Sequence, residues 1–225
     1  MTTARVNTGN SVRYSPLDAS HERLNARWRA PGLRWPIDYG NPVAEAEAAR
    51  STAGLIDWGP LNKLVVQGTG TSPALNSAQV QFVIGKATAC TVGGAMLDVW
   101  SDAPDHAILL SRHGTALPDI TGQLVSAVDM SSAFTALRLF GPSVGTIFAE
   151  LCPIDLGPDV LHDGQIVHGP VANVRVTFAR QDLAALPGFT ILVPRDYAAY
   201  MWNALIHTGD RYGLIPVGNH VLEER

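Results

Sequence analysis

Apolar positions fall on a helical stripe near the start of the chain and on short strand-like runs after it. Leu17, His21, Leu24 and Trp28 recur at helical spacing. Ser15-Pro16-Leu17-Asp18 opens that helix with a capping serine, a proline in the first turn and an acid near the positive end of the helix dipole; Pro31-Gly32 should close it. Asn41-Pro42 announces a second helix, rich in alanine and glutamate, that Gly54 should stop. Strands are expected around Leu55–Asp57 and Lys63–Gln67, then a hairpin of Ala95–Trp100 and His106–Ser111 across Asp102-Ala103-Pro104-Asp105. A helix is expected near Leu117–Ala127.

The later part has a clearer rhythm. Phe134–Phe140 reads as a strand, and Pro142–Leu151 as a helix opened by Gly141-Pro142. Strands follow at Gln165–His168, Ala172–Ala179 and Phe189–Val193, then a helix over Asp196–Thr208 with Tyr197, Met201, Ala204 and Thr208 on one face. This order suits a split β-α-β layer with helices on one face of an antiparallel sheet, so the fold class is α+β with two-layer antiparallel sheets. Met1–Asn10 lack the apolar core of a signal peptide, and residues 1–14 read as a disordered tail. A first domain is expected over 15–130 and a second over 131–225.

Hydrophobic residues make up 46% of the 225 and charged residues 16%, a globular balance with an ample core. The net charge of -4 and the scattered basic residues argue against nucleic acid or a membrane surface as partner, and no stretch is long enough to span a bilayer. Cys90 and Cys152 suit free thiols of a reducing cytoplasm, a disulfide between them being the alternative.

Several candidate chemistries fall away. Gly68-Thr69-Gly70-Thr71-Ser72 lacks the lysine and spacing of a phosphate loop and reads as a turn before a short helix at Pro73. The seven histidines form no HxH or HxxxH pair, so no metal site is expected. No glycine-flanked serine elbow is present.

Gly93-Gly94-Ala95-Met96-Leu97-Asp98-Val99-Trp100 is different: a glycine pair leads into an apolar strand with one carboxylate in its middle. Met96, Asp98 and Trp100 should share a face. Two readings of Asp98 stay open, a solvent-facing residue or an acceptor at the mouth of a pocket. In the second, a buried carboxylate needs a hydrogen-bond partner, a cation or a ligand amine.

Pro36-Ile37-Asp38-Tyr39-Gly40, a helix ending in Ala53-Gly54-Leu55-Ile56-Asp57, and Lys63-Leu64-Val65-Val66-Gln67-Gly68 together resemble the opening of the glycine cleavage system T protein (aminomethyltransferase) family. Gly93-Gly94 followed by Asp98 resembles its Gly-Gly-x-x-x-Asp strand, whose aspartate lies beside the reactive nitrogens of tetrahydrofolate. Leu137-Arg138-Leu139-Phe140-Gly141-Pro142 and Gly213-Leu214-Ile215-Pro216-Val217-Gly218 resemble the start and end of its second domain. Ala127–Met130 through Cys152–Leu156 is also similar to the gamma subunit of heterotetrameric sarcosine oxidase, of the same superfamily. The resemblance runs over residues 15–220.

It implies the first two domains of the aminomethyltransferase fold, with a ferredoxin-like second domain and without the C-terminal β-barrel, since the sequence stops at Arg225. It implies Asp98 as the catalytic residue, and Asp98, Trp100 and Ser111 as binding residues for tetrahydrofolate. Leu186 stands near the position of the family's pterin-gripping glutamate, and Arg175 or Arg180 would have to replace the family's cation. The implied function is tetrahydrofolate-linked one-carbon (aminomethyl or methyl) transfer in demethylation of an N- or O-methylated small molecule. The chain would act within a complex whose partner subunit is a flavoprotein or a folate-domain protein. The alternative is a non-catalytic gamma-like subunit of a heteromeric flavoenzyme of the sarcosine oxidase type.

Overall fold

The structure, a computed structural model, describes residues 13–29, 33–111, 115–157, 159–183 and 185–223. Residues 1–12 of the expected tail lie outside the described residues, whereas Arg13–Tyr14 form a short strand, β1. The elements that follow are α1 (Asp18–Arg23), β2 (Arg27–Trp28), β3 (Leu33–Arg34), β4 (Pro36–Asp38), α2 (Pro42–Ser51), β5 (Ala53–Asp57), β6 (Lys63–Gln67), α3 (Thr71–Ser77), β7 (Lys86–Val92), β8 (Ala95–Ala103), β9 (His106–Ser111) and β10 (Ser126–Asp129). Then come β11 (Phe134–Phe140), α4 (Val144–Leu151), β12 (Ile166–Val171), β13 (Val174–Arg180), β14 (Gly188–Pro194), α5 (Ala198–Gly209), β15 (Leu214–Pro216) and α6 (His220–Glu223).

Two sheets dominate. The first runs β10-β6-β9-β8-β7 and is antiparallel throughout. The second runs β12-β13-β14-β11-β5-β15, antiparallel except for the parallel pair β5 and β15. β5, which precedes the first sheet in the chain, thus belongs to the second sheet, so the two halves interlock. β12 and β13 turn over Ala172 and Asn173, both with positive φ (46° and 63°), the geometry a two-residue hairpin favours.

Strand alternation sorts side chains into three apolar layers. Leu137, Leu139, Phe178 and Ile191 of the second sheet pack under α4 and α5. Val66, Leu97, Val99 and Leu109 of the first sheet pack with Leu75 of α3 and with Ile120. Between the sheets lie Trp100, Ile108 and Leu110 from the first, and Ile56, Ala136, Phe140 and Leu192 from the second. The functional question concerns that middle layer.

Two expectations are corrected, and one strand was not foreseen. The opening helix ends at Arg23 and does not reach Trp28, because Asn25 takes a left-handed conformation (φ 56°) and the chain turns into β2. Ser15 still caps the turn, its Oγ accepting from the Leu17 N–H at 3.1 Å. No helix forms near Leu117–Ala127: residues 115–122 are irregular and β10 follows. Pro118 has no N–H to give a helix, Gly122 weakens one further, and Ile120 gains more by entering the outer layer. β7 was not expected, since Lys-Ala-Thr-Ala-Cys-Thr-Val carries little apolar bulk; its pairing with β8 from Lys86–Ser101 to Val92–Ala95 holds it in place.

Candidate functional site

β8 places Met96, Asp98 and Trp100 on the inter-sheet face, opposite Thr91, Ala89 and Ala87 of β7. Asp98 and Trp100 are each 1% exposed, while Met96 is 41% exposed. Ala89, facing Asp98, is exposed as well. Asp98 is therefore the outermost buried group on its strand face, just inside solvent. The solvent-facing reading of this carboxylate is excluded.

The partner of Asp98 comes from the other sheet. Gln181, one residue past β13 and 9% exposed, donates from Nε2 to Asp98 Oδ1 at 3.3 Å. Its backbone is fixed twice: the Gln181 N–H bonds to Gly188 O at 2.9 Å, and Gln181 O accepts from Arg138 Nη2 at 3.1 Å. Gly188 makes this turn feasible, because a Cβ there would sit 2.5 Å from Gln181 O.

Arg138 lies in the middle of β11, paired with Thr190 and Ile56, and is 4% exposed. Its Nη1 donates to Thr190 Oγ1 at 2.9 Å, and its guanidinium lies 4.9 Å from the centre of the Trp58 ring. Trp58 Nε1 in turn donates to Asn219 Oδ1 at 3.0 Å. Lys63 shares the face of Asp98 through the register Lys63–Leu110–Asp98, and its Nζ donates to Gly59 O and Leu61 O at 2.7 and 2.8 Å. Among the described residues, Asp98, Arg138 and Lys63 thus bring charged groups into this largely apolar layer.

Gln181 Oε1 and Trp100 Nε1 are among the buried side-chain atoms that have no hydrogen-bond partner among the described residues. A buried polar group left unmatched costs about 1–3 kcal/mol. Beside the Asp98 carboxylate, the Trp100 ring supplies an apolar wall on the same strand face.

Of the residues expected at the site, Asp98 and Trp100 come together and Ser111 does not. Ser111 pairs with Leu97, whereas Asp98 pairs with Leu110, so the Ser111 hydroxyl is on the opposite face of the sheet. The alternation that unites Asp98 with Trp100 removes Ser111. Arg180 is engaged by Asp182 at 3.0 Å and by Leu161 O at 2.7 Å, and Arg175 is exposed. Arg138 and Lys63 are buried cations of the layer, and the sequence reading singled out neither as such. Gln181 was also missed, because its partner Asp98 is 83 positions away.

A second polar group lies further along β8, where the register shifts between Trp100 and Ala103. Asp102 meets His106 Nδ1 at 2.5 Å and His168 Nε2 at 2.9 Å, tying the first sheet to β12. His113 lies outside the described residues. Among the described residues no His, Cys, Asp or Glu cluster is placed to hold a metal, and no helix is long and apolar enough to cross a membrane. A shallow groove of about 650 Å³ sits at the far end of β6 and β9, lined by Gln67, Asp105, His106 and Ser126, away from Asp98.

Comparison with known proteins agrees with this architecture. The chain is 29% identical over 233 residues to the aminomethyltransferase of Streptomyces avermitilis, a match covering 94% of this chain and 61% of that protein. It is 24% identical over 225 residues to the aminomethyltransferase of Chloroherpeton thalassium, covering 92% and 62%. The chain thus spans about 61% of the length of these curated relatives. Its fold is similar to the glycine cleavage system aminomethyltransferase T from Bartonella henselae, with TM-score 0.76 and 21% identity over 94% of this chain and 60% of that one. It is also similar to a chain of the heterotetrameric sarcosine oxidase from Corynebacterium sp. U-96 in complex with pyrrole 2-carboxylate, with TM-score 0.64 and 19% identity over 89% of this chain and 96% of that one. The model of the GCVT N-terminal domain matches residues 17–224, and the chain belongs to that family.

Proposed function

We propose that this chain is a tetrahydrofolate-linked one-carbon transfer protein, acting in demethylation of an N- or O-methylated small molecule as part of a cytoplasmic complex. The observation that carries this reading is the buried Asp98 carboxylate, bonded to Gln181 and on the same strand face as Trp100. Membership of the GCVT N-terminal domain family supports it. Tetrahydrofolate supplies the secondary amine that takes up the carbon unit. Asp98 would hold an N–H of that ligand and orient its nitrogen, Trp100 would cover one side of the ring, and the apolar layer would keep water from the carbon in transit. Most of the acceleration in such a site comes from placement rather than from strong acid or base.

The partner subunit is proposed as a flavoprotein or folate-domain protein. The sarcosine oxidase chain that this one resembles is matched over 96% of its length, and that enzyme is a heterotetramer. That match also favours a second reading, in which the chain is a gamma-like, non-catalytic subunit of a flavoenzyme.

Calorimetry separates the two. Tetrahydrofolate titrated into the purified chain should bind, and Asp98→Asn should abolish binding with the circular dichroism spectrum unchanged. An absence of heat with the wild-type chain, together with stable assembly onto a flavin-bearing partner on size exclusion, would instead establish the subunit reading.

A further inference from the structure

The His220 ring fastens α6 to the turn between β4 and α2. Its Nδ1 meets Ile37 O at 2.7 Å, and its Nε2 meets Pro42 O at 2.9 Å. A carbonyl oxygen accepts and cannot donate, so each contact is a hydrogen bond only while that ring nitrogen carries a hydrogen. A neutral imidazole has one N–H, and the two bonds together need the imidazolium. We propose that His220 is a proton-dependent clasp: with both ring hydrogens it holds α6 and the preceding Gly218-Asn219 segment onto β4 and α2, and losing one of them as pH rises loosens that hold.

The surroundings suit a cation. The His220 side chain is 12% exposed, and the Glu45 carboxylate of α2 lies 4.0 Å from Nδ1. Glu45 is itself fixed by the N–H groups of Tyr39, at 2.6 Å, and Gly218, at 2.9 Å. β4 contributes Asp38, whose carboxyl is held below its ordinary pKa chiefly by Arg27 of β2, with the charge of His220 acting in the same direction. The Tyr39 phenol is turned away, toward His21. Among the described residues, the ring thus faces two carboxylates, one of them already engaged by an arginine.

The neutral ring would set a nitrogen lone pair against a carbonyl oxygen, replacing a bond by a repulsive contact. Among side chains at their ordinary pKa, histidine is the one whose charge changes between about pH 5 and 8, which fits it for such a device. The clasp also reaches the middle layer. Asn219, next to His220, donates to Pro36 O at 3.2 Å and accepts from Trp58 Nε1 at 3.0 Å, and the Trp58 ring lies under the Arg138 guanidinium.

The test uses the full chain, with isotope-labelled histidine for nitrogen NMR and with amide hydrogen exchange. At about pH 6 both ring nitrogens of His220 should give the signal of an N–H nitrogen, assigned by its loss in His220→Gln. Protection of the Gly218 and Asn219 amides, taken relative to an unstructured peptide at the same pH, should fall about 10-fold between about pH 6 and pH 9. In His220→Gln it should be low throughout and flat, since glutamine does not titrate. Should that variant fail to fold, His220→Asn takes its place. A His220 nitrogen without hydrogen at the acid end, or wild-type protection that does not change with pH, overturns the clasp. An equal slope in the variant overturns it too, because the slope would then belong to Glu45 or Asp38.

Discussion

His21 and Asp57 meet inside the protein, Nε2 to Oδ2 at 2.9 Å, and neither side chain reaches solvent. The other ring nitrogen, Nδ1, faces the Tyr39 hydroxyl at 2.9 Å. Burial pushes the Tyr39 phenol far above its ordinary pKa, and the nearby charges of Asp57 and Glu45 push it further, so Tyr39 keeps its proton. Asp57 Oδ1 accepts from the Gly59 N–H at 2.6 Å, and the Trp202 ring meets His21 edge-on at 5.0 Å. This chain of contacts ties α1 and β4 to the end of β5. Replacing His21 by Ala strands Asp57 in an apolar surround and should lower unfolding free energy by about 3–5 kcal/mol. Tyr39→Phe, which removes one donor, should cost about 1–3 kcal/mol. Urea denaturation measures both, and a loss below about 1 kcal/mol for His21→Ala would contradict this account.

Two glycines predict opposite signs for one substitution. A Cβ on Gly218 would lie 1.8 Å from Ile37 O, and the Gly218 N–H is bonded to the buried Glu45 carboxylate at 2.9 Å. Backbone would have to move at both places, so Gly218→Ala should cost about 3 kcal/mol or more. Gly145 lies within α4, and a Cβ there meets nothing within 4 Å. Gly145→Ala should raise stability by about 0.5–1 kcal/mol, since glycine is the poorer helix former. Midpoint shifts in the same denaturant series report both signs.

The parts of this fold that the sequence displayed are those set by local rules. Phe134–Phe140 is a short, mostly apolar run and is a strand over that whole span, and Asn41-Pro42 caps α2 with Asn41 Oδ1 accepting from the Ala44 N–H at 3.1 Å. Alternation also put Asp98 and Trp100 on one face. The parts that were hidden depend on distant partners. β7 is held by β8 rather than by its own composition, and the segment before β10 follows the pull of Ile120 into the core. At the site, Asp98 was visible as an oddly placed carboxylate. Gln181 and Arg138 were not, because their significance arises only when β13 and β11 face β8 across the middle layer. An arginine inside an otherwise apolar strand, as in Thr-Ala-Leu-Arg-Leu-Phe, was the one available signal.

The cysteines give a third prediction. Cys90 lies in the layer outside the first sheet and Cys152 in the layer under α4 and α5, so both sheets stand between them and a disulfide is excluded. Burial raises both thiols above their ordinary pKa, and they are 7% and 3% exposed. The folded protein should therefore react slowly with a thiol reagent at neutral pH, and two equivalents should appear on unfolding. Fast reaction of either thiol in the folded state would contradict the packing described.

Acid stability should depend on Asp38. The Arg27 guanidinium grips both of its oxygens, at 2.6 and 2.7 Å, and this holds the Asp38 carboxyl below its ordinary pKa against the opposing effect of burial. The Gly40 N–H, donating to Oδ1 at 2.8 Å, acts in the same direction as Arg27. A carboxyl whose pKa is lower in the folded state than in the unfolded one stabilises the protein fully above the unfolded value, about 3.9, and loses that contribution as pH falls through the folded value. Arg27→Gln removes the main cause of the depression and leaves a carboxylate that is 2% exposed with less to hold its charge. The variant should unfold in acid at a higher pH than the wild type, while the two differ least at the lowest pH, where Asp38 is protonated in both. Urea midpoints measured from pH 6 down to about pH 2 trace this difference. Superimposable acid limbs for the two proteins would mean that the Arg27 fork contributes nothing to the titration of Asp38.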